Sequence, residues 1–280
     1  ARADGGLGAS DAAADAGGAS PDTFTLVAWN VEQFPMTPST VDAVAALIMQ
    51  MDADLYGIEE IADTTAFAVL LSRLPGYDGM YAAQGDGFTR VGMIWKTARV
   101  QVGDAELLFA NDSWAFPRPP LKAVVTAAGP TGGVFDFVFV VVHLKAQPDD
   151  ESRMRRALAV QALEEYVGTE LSLGTEDDFV IAGDWNDALT DAPIDNVFLP
   201  FLDSPEAYVF LDLPLEESGT LGTYIPFSSF IDHILVTSGA LDEYGPAGMP
   251  GIVTLDATFA GYTSIVSDHR PVRAVFSTPF

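Results

Sequence analysis

Short apolar runs with strand character, alternating with helical patterns, constrain the fold of this chain more than any other feature. Strand-like runs at Phe24–Trp29 and Asp54–Ile58 each precede a segment of helical periodicity, at Thr40–Met51 and Thr64–Leu74. Further strands are predicted at Val91–Trp95, Val100–Phe109, Leu121–Ala127, Val134–Val142, Phe179–Ala182, Phe230–Val236 and Val272–Phe276, and a long helix at Glu151–Leu171. Because the early strands alternate with helices and the middle ones are hairpin-like, we expect two sheets packed face to face with helices outside.

The composition divides the chain into a tether and one domain. Residues 1–22 have Leu7 as their only large apolar residue, so they bury too little surface to offset ordering entropy and are predicted to be a flexible tether. Residues 23–280 contain no fixed-period repeat and no internal linker, which predicts a single domain. No apolar run is long enough to span a membrane.

The tether also bears on location. The sequence starts at Ala, and we expect an exported protein that is secreted, periplasmic or tethered at the cell surface, with residues 1–22 following a signal segment or lipid anchor. The alternative is a cytosolic protein whose sequence is cut at this point.

Charge and cysteine content exclude several classes of chemistry. With no Cys, the chain has no disulfide, thiolate zinc site or thiol nucleophile, and three His leave little room for a multi-His metal site. A net charge of −27 opposes long-range attraction of nucleic acid. The charge is uneven, however, since residues 90–156 are net +2 and residues 157–280 are net −18, so a local cationic groove is compatible with the sequence.

Polar residues follow several predicted strands directly. These are Asn30, the pair Glu59-Glu60, His143, and the run Asp184-Trp185-Asn186. Strand ends are where rigid scaffolds place functional side chains, whereas any one of these residues alone is an ordinary polar cap. In an extended segment Asp184 and Asn186 face the same way, so the carboxylate could activate a water and the amide could hold a phosphate oxygen. The competing interpretation is an Asx turn.

The strand around Asp232 predicts an ion pair. Both faces of Phe230–Val236 are apolar, so a carboxylate at Asp232 is costly unless it is paired. His269, in Ser267-Asp268-His269, is a suitable partner, and the pair would keep this imidazole cationic against a phosphate. Alternatively, Asp232 caps a turn and His269 is a surface residue. Zinc-hydrolase, P-loop and serine-elbow motifs are absent from the sequence.

Taken in order, these motifs resemble those of the endonuclease/exonuclease/phosphatase superfamily, to which deoxyribonuclease I belongs. The series is Trp29-Asn30, Glu59-Glu60, His143-Leu144, Gly183-Asp184-Trp185-Asn186, Ile231-Asp232-His233 and Ser267-Asp268-His269. The resemblance implies a four-layered α/β/β/α sandwich that cleaves phosphoester bonds with a divalent metal. The metal that the resemblance implies is usually Mg²⁺, with Mn²⁺ as a substitute and structural Ca²⁺ left open.

The resemblance also implies a role for each motif residue. The implied metal ligands are Glu60, Asn30 and Asp268, the implied catalytic residues are His143, Asp184, Asn186, Asp232 and His269, and the implied substrate contacts are Arg118 and Lys145. His143 and His269 would both bind the scissile phosphate as imidazolium groups. Where deoxyribonuclease I carries a carboxylate partner for this first histidine, the matching stretch here is Gly87-Phe88-Thr89.

The resulting hypothesis is an exported nuclease with little sequence preference that cleaves DNA or RNA as its substrate. We expect a monomer without a stable protein partner. The alternative is a phosphodiesterase that acts on a lipid head group or small metabolite, as the sphingomyelinases of the superfamily do. A non-catalytic binding module is disfavoured because every main motif residue is present.

Overall fold

Twelve strands and eight helices form the part of the chain that the structure, a computed structural model, describes: residues 23–129, 132–174 and 176–277. The strands are β1 Phe24–Phe34, β2 Leu55–Ile61, β3 Tyr77–Tyr81, β4 Arg90–Lys96, β5 Val100–Leu107, β6 Leu121–Ala128, β7 Val134–His143, β8 Phe179–Asp184, β9 Tyr208–Phe210, β10 Asp232–Thr237, β11 Met249–Ile252 and β12 Val272–Phe276. The helices are α1 Thr40–Met51, α2 Thr64–Ser72, α3 Asp150–Leu173, α4 Leu199–Leu202, α5 Leu213–Ser218, α6 Ser238–Tyr244, α7 Leu255–Thr258 and α8 Tyr262–Ile265. The predicted tether, residues 1–22, lies outside the described residues.

The strands form two six-stranded mixed sheets. Their orders are β11-β12-β1-β2-β4-β3 and β5-β6-β7-β8-β10-β9. Only β1 with β2 and β7 with β8 are parallel among the paired strands described; the other pairs are antiparallel. The four-layered α/β/β/α sandwich is confirmed.

Side chains that point alternately to the two faces of the central strands form three apolar layers. Phe24, Phe137 and Phe276 meet between the sheets with ring centroids 5.7 Å apart in the pairs Phe24–Phe137 and Phe24–Phe276. The opposite face of β1 packs on α1 through Trp29 and Ile48, and the outer face of the second sheet packs on α3. Both faces of each sheet are therefore covered, which explains why the strands read as continuous apolar runs.

The helix ends follow local capping rules. Asp63 accepts hydrogen bonds from the backbone nitrogens of Thr65 and Ala66 at the start of α2. Asp149 accepts one from the Ser152 nitrogen at the start of α3, and Gly174 ends that helix in a left-handed conformation. The two Asp side chains and the left-handed Gly174 satisfy backbone groups that a helix end leaves unpaired.

Several strand predictions differ from the structure at their ends. The first strand continues past Trp29 to Phe34, because a bulge with left-handed backbone at Glu32 and Gln33 carries it around the site. The strand predicted from Phe230 begins only at Asp232. Strands β3, β9 and β11 are short edge strands that the apolar pattern does not reveal.

The strand registers bring the motif residues to one edge of the sandwich. Asp184 pairs in register with His143 on one side and with Asp232 on the other, and Asn30 pairs with Glu59 in the first sheet. Asp232 opens an antiparallel strand rather than closing a parallel one. The start of an antiparallel strand meets the end of its neighbour, so the side chains still gather together.

Candidate active site

A cavity of about 860 Å³ opens at this edge of the sandwich. Most of the predicted site residues line it: Glu60, His143, Asp184, Asn186, Asp268 and His269. Further acidic and aromatic groups complete the wall, among them Glu32, Asp187, Asp191, Tyr224 and Phe227.

Asn30 connects the two sheets at the floor of the site. Its Nδ2 donates to Asp184 Oδ2 at 3.0 Å and lies 3.4 Å from Glu60 Oε1. Its Oδ1 accepts from the Glu32 nitrogen at 2.9 Å, and its backbone oxygen accepts from the Ser267 hydroxyl at 2.6 Å. The side chain is buried, and both its Nδ2 and its Oδ1 form hydrogen bonds, so its orientation is fixed.

The predicted pair of Asp232 and His269 is present. His269 Nδ1 lies 2.9 Å and 3.2 Å from the two carboxylate oxygens of Asp232, and both side chains are buried. Burial lowers the pKa of His269, but Asp232 outweighs it and raises the pKa to about 10. His269 is therefore an imidazolium at neutral pH, with Nε2 3.9 Å from Asp184 Oδ2.

Asp184 has the environment of a titrating group. Burial and then the carboxylate of Asp232 raise its pKa to about 7, against the opposing charge of His269. The Asn186 nitrogen donates to its Oδ1 at 2.9 Å. A carboxyl group with a pKa near neutrality suits a general base.

His143 differs from the prediction of two imidazolium groups. It is buried, and burial followed by the positive charges of Arg118 and His269 lowers its pKa well below the ordinary value, so His143 is neutral. Its Nε2 faces Asp184 Oδ2 at 3.5 Å and Glu60 Oε1 at 3.8 Å. Its Nδ1 has no hydrogen-bond partner among the described residues, in keeping with the missing carboxylate at Gly87-Phe88-Thr89.

Glu32 and Asp268 lie near enough to Glu60 for their negative charges to interact with it. The backbone of Glu60 is left-handed, with φ 64°, and the Gln33 nitrogen donates to Oε2 at 2.8 Å, so the carboxylate is held in place. Burial and then Asp268 raise the pKa of Glu32 to about 7, and burial also raises the pKa of Asp268, with Glu60 adding to it. Hard oxygen ligands in a negative field fit Mg²⁺ well.

One possible ligand atom from each of Asp184, Asp232 and His269 lies within 4.8 Å of the other two. This group does not suit a cation, because His269 is itself positively charged and Asp232 is already bound to it. A metal therefore fits the Glu60 side of the cavity better.

The segment after β8 presents the amide of Asn186. Its backbone is left-handed, with φ 57°, and Nδ2 reaches the Leu144 carbonyl oxygen at 3.3 Å. Trp185 points the opposite way, fully buried, and donates through Nε1 to the His233 carbonyl oxygen at 3.2 Å. The same-side placement of Asp184 and Asn186 expected from the sequence thus occurs together with a local turn.

Among the described residues, Arg118 and Lys145 are not part of the cavity lining. Arg118 is buried and donates to the carbonyl oxygens of His143 and Leu144 and to Asp86 Oδ2. Lys145 Nζ donates to the Ala146 carbonyl oxygen at 2.8 Å. The contact of Arg118 and Lys145 with the substrate stays a prediction.

Two of the motif residues, Glu59 and His233, were given no role by the sequence analysis. Glu59 is fully buried, neither of its carboxylate oxygens has a hydrogen-bond partner among the described residues, and burial raises its pKa well above the ordinary value. His233 is paired with Asp212, with Nδ1 2.6 Å from Oδ2, and lies 3.0 Å from the Asp187 carbonyl oxygen. No sequence pattern indicated a role for Asp212, whereas the apolar run before Glu59 could have indicated that Glu59 is buried.

The chain belongs to the Endonuclease/Exonuclease/phosphatase family, whose model matches residues 27–269. Members of this family are hydrolases that act on phosphoester bonds. The resemblance inferred from the motifs is confirmed. A comparison of the sequence with curated proteins gave no significant match.

Solved structures share the fold at low sequence identity. D. rerio TDP2 complexed with single-strand DNA product has a TM-score of 0.67 at 14% identity, covering 91% of this chain and 99% of that one. The Neisseria 3′ phosphatase NExo, bound to a product DNA hairpin, has a TM-score of 0.65 at 17% identity, with 90% and 99% covered. An endonuclease/exonuclease/phosphatase family protein from Bacteroides thetaiotaomicron has a TM-score of 0.62 at 17% identity, with 91% and 95% covered.

Among the described residues, none of the helices combines the length and apolar character needed to cross a membrane. The longest, α3, carries charged side chains along its length.

Proposed function

We propose that the chain is a divalent-metal-dependent nuclease that cleaves DNA, with RNA as a further substrate, and has little sequence preference. The observation that carries this proposal is the meeting of a charged imidazole, His269, with a titrating carboxyl group, Asp184, beside the oxygen donors around Glu60. Export and a monomeric state belong to the same proposal and rest on the sequence alone.

The metal site in this proposal consists of Glu60, Asn30 and Asp268. A bound Mg²⁺ would supply positive charge to the phosphate as negative charge grows on its oxygens during in-line attack. Asn30 donates to Asp184 through Nδ2 and accepts from a backbone nitrogen through Oδ1, so a direct bond from Oδ1 to the metal would use its second lone pair.

The remaining residues act on the water and the phosphate. Asp184 accepts the proton of the attacking water, and its pKa of about 7 leaves it largely ionised in a mildly alkaline solution. His269 donates from Nε2 to a phosphate oxygen, while Asp232 keeps it charged. Asn186 and neutral His143 add uncharged donors, Nδ2 and Nε2, to the same oxygens.

A substrate panel tests the proposal. Labelled single-stranded DNA, single-stranded RNA, plasmid DNA and sphingomyelin vesicles are incubated with the protein in Mg²⁺, Mn²⁺ or Ca²⁺. We expect DNA cleavage in Mg²⁺ and Mn²⁺, and a loss of about 100-fold or more in Asp184→Asn. The matched control is Asp104→Asn, an exposed carboxylate on β5, which should cleave at the wild-type rate.

One observation favours the lipid-directed alternative. Phe227 is 78% exposed at the cavity wall, where a membrane-active phosphodiesterase would carry an apolar contact. Hydrolysis of sphingomyelin without cleavage of any polynucleotide would replace the nuclease proposal with this alternative.

A further inference from the structure

His233 is a fully buried histidine on β10 that the proposed mechanism does not use. Its ring lies among the aromatic side chains of the outer core, with its centroid 5.5 Å from that of Phe198 and 5.9 Å from that of Phe210. Its Nδ1 lies 2.6 Å from Asp212 Oδ2, and its Nε2 lies 3.0 Å from the carbonyl oxygen of Asp187. Both ring nitrogens therefore have polar partners, as burial requires.

The partners of this ring determine where its hydrogens lie. A backbone carbonyl can only accept, so Nε2 carries a hydrogen and donates it to Asp187. Burial lowers the pKa of His233, but the charge and the hydrogen bond of Asp212, with Glu216 adding to them, raise it above the ordinary value. The ring therefore donates from both nitrogens as an imidazolium. Asp212 is held in place by the same strand, because its Oδ1 accepts from the Ile234 nitrogen at 2.7 Å.

The carbonyl that accepts from His233 belongs to the segment that carries the amide of Asn186. The registered pairing of β8 with its two neighbours ends at Asp184, so residues 186–188 lie beyond it. Asn186 is left-handed, with φ 57°, a conformation that persists where the surrounding structure holds it. His233 supplies a holding contact one residue further on, at the backbone of Asp187.

A second buried cation, Arg156, binds the side chain of Asp187. Its Nε donates to Asp187 Oδ2 at 2.8 Å, and its Nη1 donates to the carbonyl oxygens of Lys145 and Gln147, each at 2.8 Å. Asp187 is therefore held through its carboxylate from α3 and through its backbone from β10. Because Arg156 pairs with the carboxylate, the contact from His233 acts on the backbone of the turn alone.

We propose that His233, oriented by Asp212, is a positioning residue for the amide of Asn186. Its Nε2 hydrogen holds the Asp187 carbonyl oxygen, and this contact fixes the turn that presents the amide to the phosphate. The inference rests on the proposed function, in which Asn186 Nδ2 donates to a phosphate oxygen. His233 is buried and absent from the cavity lining in the part of the chain that the structure describes, so it acts through Asn186 rather than on the substrate.

The competing role is that of an ion pair that only stabilises the core. Stabilisation by an ion pair depends on the charge of the ring, whereas positioning depends on the hydrogen on Nε2. The substitution Asp212→Asn separates the two. Its amide can donate to Nδ1 and still accept from the Ile234 nitrogen, so a neutral ring keeps its hydrogen on Nε2.

The test compares three variants. Asp212→Asn keeps the Nε2 donor and removes the charge. His233→Phe combined with Asp212→Asn keeps an aromatic ring, removes the donor and leaves no unpaired carboxylate. Phe198→Leu is the control, because it loosens the packing around the same ring and leaves the hydrogen bond in place. Steady-state kinetics on a short single-stranded DNA in Mg²⁺ are combined with nitrogen NMR of the His233 ring and of the Asn186 amide, below the lowest melting temperature of the set.

We expect a hydrogen on Nε2 in the wild type and in Asp212→Asn. The double variant should lose about 10- to 100-fold in kcat relative to Asp212→Asn, with KM nearly unchanged, and its Asn186 amide signals should shift. Asp212→Asn should keep the wild-type kcat and the wild-type Asn186 signals. Phe198→Leu should do the same although it melts at a lower temperature.

Several results would overturn the positioning role. An Nε2 without a hydrogen in the folded wild type would do so without any variant. Equal kcat values in the double variant and in Asp212→Asn, or unshifted Asn186 signals in the double variant, would also contradict it. A loss in Phe198→Leu as large as that in the double variant would assign the effect to a loosened core. If the wild type cleaves no polynucleotide, the proposed function fails, and the Asn186 signals still decide whether His233 holds the amide.

Discussion

Asn30 Nδ2 donates to Asp184 Oδ2 at 3.0 Å, and this hydrogen bond joins the first sheet of the sandwich to the second at the floor of the candidate active site. Both side chains are buried. The position of the proposed general base is therefore linked to the first sheet by this contact.

Replacing Asn30 with Ala should affect both stability and activity. The substitution leaves the buried Asp184 oxygen and the Glu32 nitrogen without this partner, which costs about 1–3 kcal/mol in the free energy of unfolding. The hydrogen bond lowers the pKa of Asp184, so its loss should raise that pKa and move the acidic limb of the rate profile to higher pH. Urea unfolding and a pH–rate profile measure the two effects.

The matched control is Asn111→Ala, because Asn111 is exposed. It should unfold within about 0.5 kcal/mol of the wild type. Equal stability of the two variants would contradict the role given to the contact between the sheets.

Removing the charge of Asp232 should change the pH dependence of catalysis. Asp232 raises the pKa of His269 against the effect of burial, so in Asp232→Asn the pKa falls and the imidazole is neutral above mildly acidic pH. We expect a loss of about 100- to 1,000-fold at pH 8 and a smaller loss at pH 5.5. Proton NMR of the imidazole, with the pH–rate profile, would detect the shift; an unchanged His269 pKa would contradict it.

The same pair also links stability to pH. The folded-state pKa of His269, about 10, is above the ordinary histidine pKa of about 6.5, so its contribution to stability is complete below about 6.5 and is lost as the pH rises towards 10. The difference in unfolding free energy between wild type and Asp232→Asn should therefore shrink as the pH rises through this window. Guanidinium unfolding at pH 6 and pH 9.5 would show this, and a difference that grows with pH would be the opposite result.

Gly183 should be intolerant of a side chain. A Cβ at this position would lie 2.0 Å from the Val142 carbonyl oxygen and 3.0 Å from Glu59 Oε1, and φ is +143°. Gly183→Ala should lose more than about 4 kcal/mol of stability or fail to fold. Gly76→Ala, with φ +84° and no heavy atom within 4 Å of the new Cβ, should lose only about 1–2 kcal/mol. Denaturant unfolding compares the two, and similar losses would refute the steric argument.

Local sequence patterns predict much of the fold. Helix α1 has the predicted bounds, Thr40–Met51, because its apolar spacing and the turn that follows are encoded locally. The short edge strand Tyr208–Phe210 was not predictable because three residues contain too little alternation, and its pairing with β10 depends on the tertiary fold.

The site was predictable where strand pattern implies burial. Asp232 had to find a partner because both faces of its strand are apolar, and His269 is that partner. The neutral state of His143 was not predictable, since it depends on burial and on Arg118, which is 25 residues away in sequence. Asp212, which follows β9, and His233, in the paired strand β10, are 21 residues apart in the sequence, so no short spacing rule reveals this pair.

The most direct test of the account is DNA cleavage by Glu60→Gln in Mg²⁺, with Glu217→Gln, an exposed carboxylate at the end of α5, as the control. We predict that chelation stops the wild type, that Glu60→Gln loses about 1,000-fold or more in kcat, and that Mg²⁺ raises the melting temperature of the wild type and the control but not of Glu60→Gln. Cleavage by Glu60→Gln at the wild-type rate would contradict the assignment of the metal to Glu60 and the mechanism built on it.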